Sequence, residues 1–89
     1  MRDKNGIKKN GYRINELGVY IYGQRAVVTD GGAEILDYTK ERVVFRTPKK
    51  RVNLVISGKE LTVRAAGNSV CEICGLIQSV KYEEVKPDV

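Results

Sequence analysis

The stretch Arg42-Val-Val-Phe-Arg-Thr47, Pro48-Lys-Lys-Arg51, Val52-Asn-Leu-Val-Ile-Ser-Gly-Lys-Glu-Leu-Thr-Val-Arg64 decides the fold. Val43, Phe45 and Thr47 alternate with Arg42, Val44 and Arg46, which is the period of a β-strand with one apolar face. Pro48 ends that run, because it has no N–H to give to a sheet ladder. Val52, Leu54 and Ile56 then resume the alternation, Gly58-Lys59-Glu60 interrupts it, and Leu61, Val63 and Ala65 carry it on. The opposite positions, Asn53, Val55, Ser57, Thr62 and Arg64, are mostly polar, so a core side and a wet side are expected.

The same reading extends in both directions. On the C-terminal side, Ala66-Gly67-Asn68-Ser69 reads as a turn. After it, Val70 to Cys74 places Cys71 and Ile73 on one face, and Gly75 marks a bulge or a close backbone approach before Leu76 to Tyr82. A weak internal echo links Val52-x-Leu54-x-Ile56-x-Gly58 to Cys71-x-Ile73-x-Gly75-x-Ile77, two units each hinged near a glycine, and suggests stacked hairpins. On the N-terminal side, Leu17 to Tyr22 and Ala26 to Thr29 are β-like. Asp30-Gly31-Gly32 has the residues of a tight hairpin turn, from which Ala33 to Tyr38 returns. The segment Ala33 to Arg42 could form two helical turns, but its β-rich neighbours favour a strand. No apolar stripe of helical spacing is long enough to predict a helix.

These signals predict an all-β protein, a single small domain of about six to eight short antiparallel strands arranged as a sandwich, a rolled sheet or stacked hairpins. The expected organisation is a flexible basic arm over 1–16, a β domain over 17–84 and a tail over 85–89. A chain of 89 residues supports one core and not two. The arm holds five Lys or Arg against one Asp up to Arg13.

With 42% hydrophobic and 30% charged residues the composition is that of an ordinary globular chain, and the net charge of +5 is compatible with solubility as well as with a polyanionic partner. There is no apolar run long enough to span a bilayer and no signal-peptide pattern, so a cytoplasmic protein is expected, peripheral at a membrane if it meets one. Two cysteines and no histidine fit a reducing compartment.

The chemistry-bearing motifs are weak. Cys71-Glu-Ile-Cys74 has redox or half-zinc spacing, but in a strand residues three apart face opposite ways, and a zinc site needs four ligands. Neither cofactor nor metal is expected. The carboxylates Glu16, Asp30, Glu34, Asp37 and Glu41 make the segment from Ile14 to Glu41 acidic, with no histidine to share acid–base work, and they read as a solvated face. Gly31-Gly32 precedes no Lys-Ser/Thr and opens no helix, so it is not a phosphate loop. No catalytic residues are assigned and no enzymatic activity is expected.

One cluster rises above this background. From Arg42 to Arg64 there are seven Lys or Arg against the single Glu60. Arg42, Arg46, Lys49, Lys50, Arg51 and Arg64 are the candidate partner-docking patch. It could take a polyanion, or the acidic segment of another copy, or serve only to keep an edge strand from aggregating.

Taken together, the runs Gly23-Gln-Arg-Ala-Val-Val-Thr29, Glu34-Ile-Leu-Asp-Tyr-Thr39, Arg42 to Thr47, Val52-x-Leu-x-Ile-x-Gly58-Lys-Glu-Leu61-Thr-Val63 and Ile73-x-Gly75-x-Ile77-x-Ser-Val-x-Tyr82 resemble the YabP/YqfC family of bacterial sporulation proteins. The resemblance covers Leu17 to Glu84. It implies a non-enzymatic factor of endospore formation in the mother cell, assembling with itself or with a membrane-bound sporulation protein, and it carries over no catalytic residue. The chain departs from the family pattern at Pro48-Lys-Lys-Arg51, at Gly31-Gly32 and at the two cysteines. The alternative reading is a small basic β-domain that binds nucleic acid or another polyanion through the Arg42 to Arg64 patch.

Overall fold

The structure, a computed structural model, describes residues 9–14, 17–48 and 51–85. It is all-β. Seven strands run in chain order: β1 (Lys9–Ile14), β2 (Leu17–Tyr22), β3 (Ala26–Asp30), β4 (Glu34–Tyr38), β5 (Arg42–Arg46), β6 (Val52–Gly67) and β7 (Val70–Glu84). Every pairing is antiparallel, in one open sheet of order β1-β2-β3-β7-β6-β5-β4. The helical alternative for Ala33 to Arg42 is not realised, since that segment supplies β4 and the start of β5.

The sheet is built on one long hairpin. β6 and β7, of 16 and 15 residues, pair along almost their whole length. Their ladder slips register between Ser57 and Gly58 and again between Lys59 and Thr62, and here both strands bend. The first half of β6, with the last half of β7, carries β5 and β4. The second half of β6, with the first half of β7, carries β3, β2 and β1. Leu17, Val19 and Val27 from one half join Val43 and Phe45 from the other in a single cluster with Leu54, Ile56, Leu61, Ile73 and Ile77. Strands β2 and β5 are four positions apart in the sheet order, about 19 Å if it were flat, so the shared core requires the sheet to fold back on itself. The smallest dimension of the molecule, 22 Å, fits two such layers with their outer side chains.

Each bend is closed by a turn from a neighbouring hairpin. In the β4–β5 turn, Lys40 O and Glu41 O accept hydrogen bonds from Leu61 N (2.7 Å) and Gly58 N (3.0 Å). In the β2–β3 turn, Gln24 O and Arg25 O accept from Ile77 N (2.8 Å) and Gly75 N (3.1 Å). The amides that the bends release from the ladder are satisfied by two hairpin tips. The Gly58/Gly75 echo in the sequence therefore marks the two bent strands of one hairpin, paired with each other, and not two separate stacked hairpins.

Glu60 sits at the β6 bend with φ of 54°. Positive φ costs a residue with a Cβ more than it costs glycine. Glu60→Gly is expected to stabilise the fold by up to about 1 kcal/mol, read as a higher midpoint in urea.

Two expectations are corrected here. Asp30-Gly31-Gly32 does not turn a hairpin, because β3 and β4 do not pair. It crosses from one layer to the other, and Gly31 N and Gly32 N donate to Ser69 O in the β6–β7 turn at 3.0 and 3.2 Å. The tight hairpin turns among the described residues lie at Gly23-Gln24-Arg25, Thr39-Lys40-Glu41 and Asn68-Ser69, the second shaped by Thr39 Oγ1, which accepts from Arg42 N at 3.0 Å and Glu41 N at 3.2 Å. Part of the segment expected as an arm is also a strand, since Lys9–Ile14 forms β1 along the edge of β2. Backbone pairing with an open edge asks nothing of side-chain hydrophobicity, which is why the composition of this segment did not betray it. Residues 1–8, 15–16 and 86–89, in the expected arm and tail, lie outside the described residues.

Candidate functional site: the outer face and edge of the β4–β5 layer

Register places the side chains of this layer in rows. Ile35, Phe45, Leu54 and Tyr82 form one row on the core side, and Tyr38, Val43, Ile56 and Val80 form the next. On the outer face the rows are Glu34, Arg46, Asn53 and Glu83, then Asp37, Val44, Val55 and Lys81, then Arg42, Ser57 and Ser79. The face that sequence reading marked as mostly wet thus has an apolar centre. Val44 and Val55, directly paired, are each only 5% exposed.

The candidate docking residues divide in this geometry. Arg42 and Arg46 share the outer face of β5, as the alternation predicted, and Arg51 is exposed at the start of β6. Lys49 and Lys50 lie outside the described residues. Arg64 does not join them. It lies on the other layer, in register with Glu72, Val28 and Tyr20, and its Nε donates to Glu72 Oε1 at 2.7 Å. Six residues of β6, including its bend, lie between Arg42's partner Ser57 and Arg64. Arg46 also has an acid at hand, with Nη1 3.6 Å from Glu34 Oε1. Sequence counting overstated the patch because it could not see that the acidic β4 and the basic β5 are neighbours.

The two cysteines separate as strand geometry predicts. Cys71 registers with Thr29 and Ala65 and packs against the core, while Cys74 registers with Ala26 and Thr62 on the outer face. Both are free thiols. Among the described residues no group of three or more His, Cys, Asp or Glu could hold a metal ion.

What sequence reading missed is the β4 edge. All five of its residues are exposed, with Ile35 and Leu36 at 41% and Tyr38 at 48%. The ladder to β5 slips between Ile35 and Asp37, so Leu36 has no partner in the register. Tyr38 reaches back through its hydroxyl toward Leu61 O at 3.4 Å. The signal was present as Ile35-Leu36, two adjacent apolar residues where strict alternation allows one.

The class defined by this geometry is a small two-layered all-β domain with a charged outer face and an apolar sheet edge. Compared with protein-family models, with curated proteins and with solved structures, the chain matches none. Among the described residues, no helix is long and apolar enough to cross a membrane.

Proposed function

We propose that the protein is a non-enzymatic interaction module of bacterial sporulation, which assembles with itself or with a membrane-bound sporulation partner through a sheet edge and the adjoining face. The observation that carries the interaction part is β4, an edge strand with no neighbour on its outer side among the described residues and with Ile35, Leu36 and Tyr38 each left about half open to solvent, a template for a further strand. The sporulation part rests on the resemblance of the runs from Leu17 to Glu84 to the YabP/YqfC family. A mother-cell protein acting at the membrane surface would find its partner by this edge and would need no span of its own.

The test is a deletion in the organism that encodes the chain, combined with a fluorescent fusion expressed at native level. A fall in heat-resistant spores, with the fusion gathered at a membrane of the developing sporangium, is the expected result. Normal spore counts, with no protein in sporangia, would remove the sporulation reading. Binding of a generic oligonucleotide that falls steeply with added salt would favour the polyanion alternative instead.

A further inference from the structure

The near-repeat of the fold contains an asymmetry. Around the β7 bend, the β2–β3 hairpin inserts its tip and the outer edge of β2 is covered by β1. Around the β6 bend, the β4–β5 hairpin inserts its tip in the same way, but among the described residues nothing covers the outer edge of β4. Among the described residues, one half has its closing strand and the other has none.

The charges of the two terminal strands indicate what could fill that place. β4 contains Glu34 and Asp37 and no base, while β1 contains Lys9 and Arg13 and no acid. These strands end the same sheet, and among the described residues each pairs on one side only. We propose that β4 of one copy pairs with β1 of a second copy, so that the sheet continues from molecule to molecule. The contact joins unlike edges, so it is heterologous and repeats, giving rings or open filaments and not closed two-fold dimers. Pairing β4 with another β4 would gather four carboxylates, of which only the two Glu34 have an Arg46 beside them, and like-charge repulsion disfavours it. A ladder of five residues, interrupted at Leu36, is a small contact, and assembly is therefore reversible and concentration dependent. The inference deepens the interaction reading above and rests on it for its biological role.

The test uses the purified full-length chain in sedimentation velocity over a wide range of concentration, at low salt. The wild type is expected to sediment faster as concentration rises. Glu34→Lys with Asp37→Lys makes both edges basic, and Lys9→Glu with Arg13→Glu makes both acidic. Each double variant alone should lose association by at least about tenfold, equivalent to about 1.4 kcal/mol. An equimolar mixture of the two should recover it, because every contact then joins a basic edge to an acidic one. Asp37→Lys alone leaves the Glu34–Arg46 pair in place and serves if the double change disturbs folding, which circular dichroism would reveal. A wild type that stays monomeric throughout, or a mixture that fails to associate while both variants remain folded, would overturn the proposal. Sporulation phenotypes do not enter this readout. Normal spores from a protein that assembles in this manner would count against the functional reading only.

Discussion

Gly58→Ala is expected to lose at least about 3 kcal/mol of stability, a large share of the roughly 5–10 kcal/mol that holds a domain of this size together. The added Cβ would run into the backbone oxygen of Leu76 and lie 3.1 Å from Leu61 Cδ2. The backbone oxygen cannot rotate away as a side chain could. Leu76 belongs to the strand paired across the bend, and Gly58 N is itself tied to Glu41 O. Relief would require opening the bend on which both layers depend. Thermal unfolding followed by far-ultraviolet circular dichroism should show the loss, with a midpoint temperature lower by roughly 12–24 °C. Gly23→Ala is the control. Its Cβ meets nothing within 4 Å, so only the φ of 57° opposes it, at about 1 kcal/mol. Equal losses from the two substitutions would refute the close approach of the strands at the bend.

Phe45→Ala should cost about 3–5 kcal/mol, the range for removing a large aromatic side chain from a packed core. Phe45 heads the fully buried side chains ranked by volume and belongs to the cluster that spans both layers. Its row neighbours Ile35 and Tyr82 are both part-open to solvent, so the void would have a path to water, and collapse around it would draw in the β4 edge. Phe45→Leu keeps most of the apolar volume and should lose no more than about 1.5 kcal/mol. If the alanine variant were as stable as the leucine variant, Phe45 would not be packed in the shared core as described.

The parts of the fold legible in the sequence are those governed by period-two alternation. Val43, Phe45 and Thr47 are buried, as are Leu54, Ile56 and Leu61, and Pro48 lies just beyond the end of β5. The glycine echo was also legible, although its meaning was not. From sequence, Gly58 and Gly75 are hinges, but only the register shows that the two hinges face each other across one hairpin and receive the tips of two others. Asp30-Gly31-Gly32 misled because positive φ suits any sharp change of direction, and local chemistry does not say whether the next strand returns or departs. For the candidate site, the alternation placed Arg42 and Arg46 together correctly. It could not separate Arg64 from them, or assign Glu34 to Arg46 and Glu72 to Arg64, because those pairings are set by strand order. The burial of Val44 and Val55 escaped for a related reason. Their positions are those of a wet face by alternation, and only the pairing across β5 and β6 sets the two valines side by side.

The position of β7 in the middle of the sheet has a consequence for how the protein is made. As the chain leaves the ribosome, the β2–β3 and β4–β5 hairpins emerge early and can form from local contacts alone. Neither can be joined to the other until the last strand is out, because β3 meets the rest of the sheet only through β7. Until then the apolar sides of both hairpins face solvent. Once β7 emerges, the short Asn68-Ser69 turn lets it zip along β6, and both halves acquire their shared interior in one late step. A nascent chain halted before Val70 would therefore hold most of the core residues and no core.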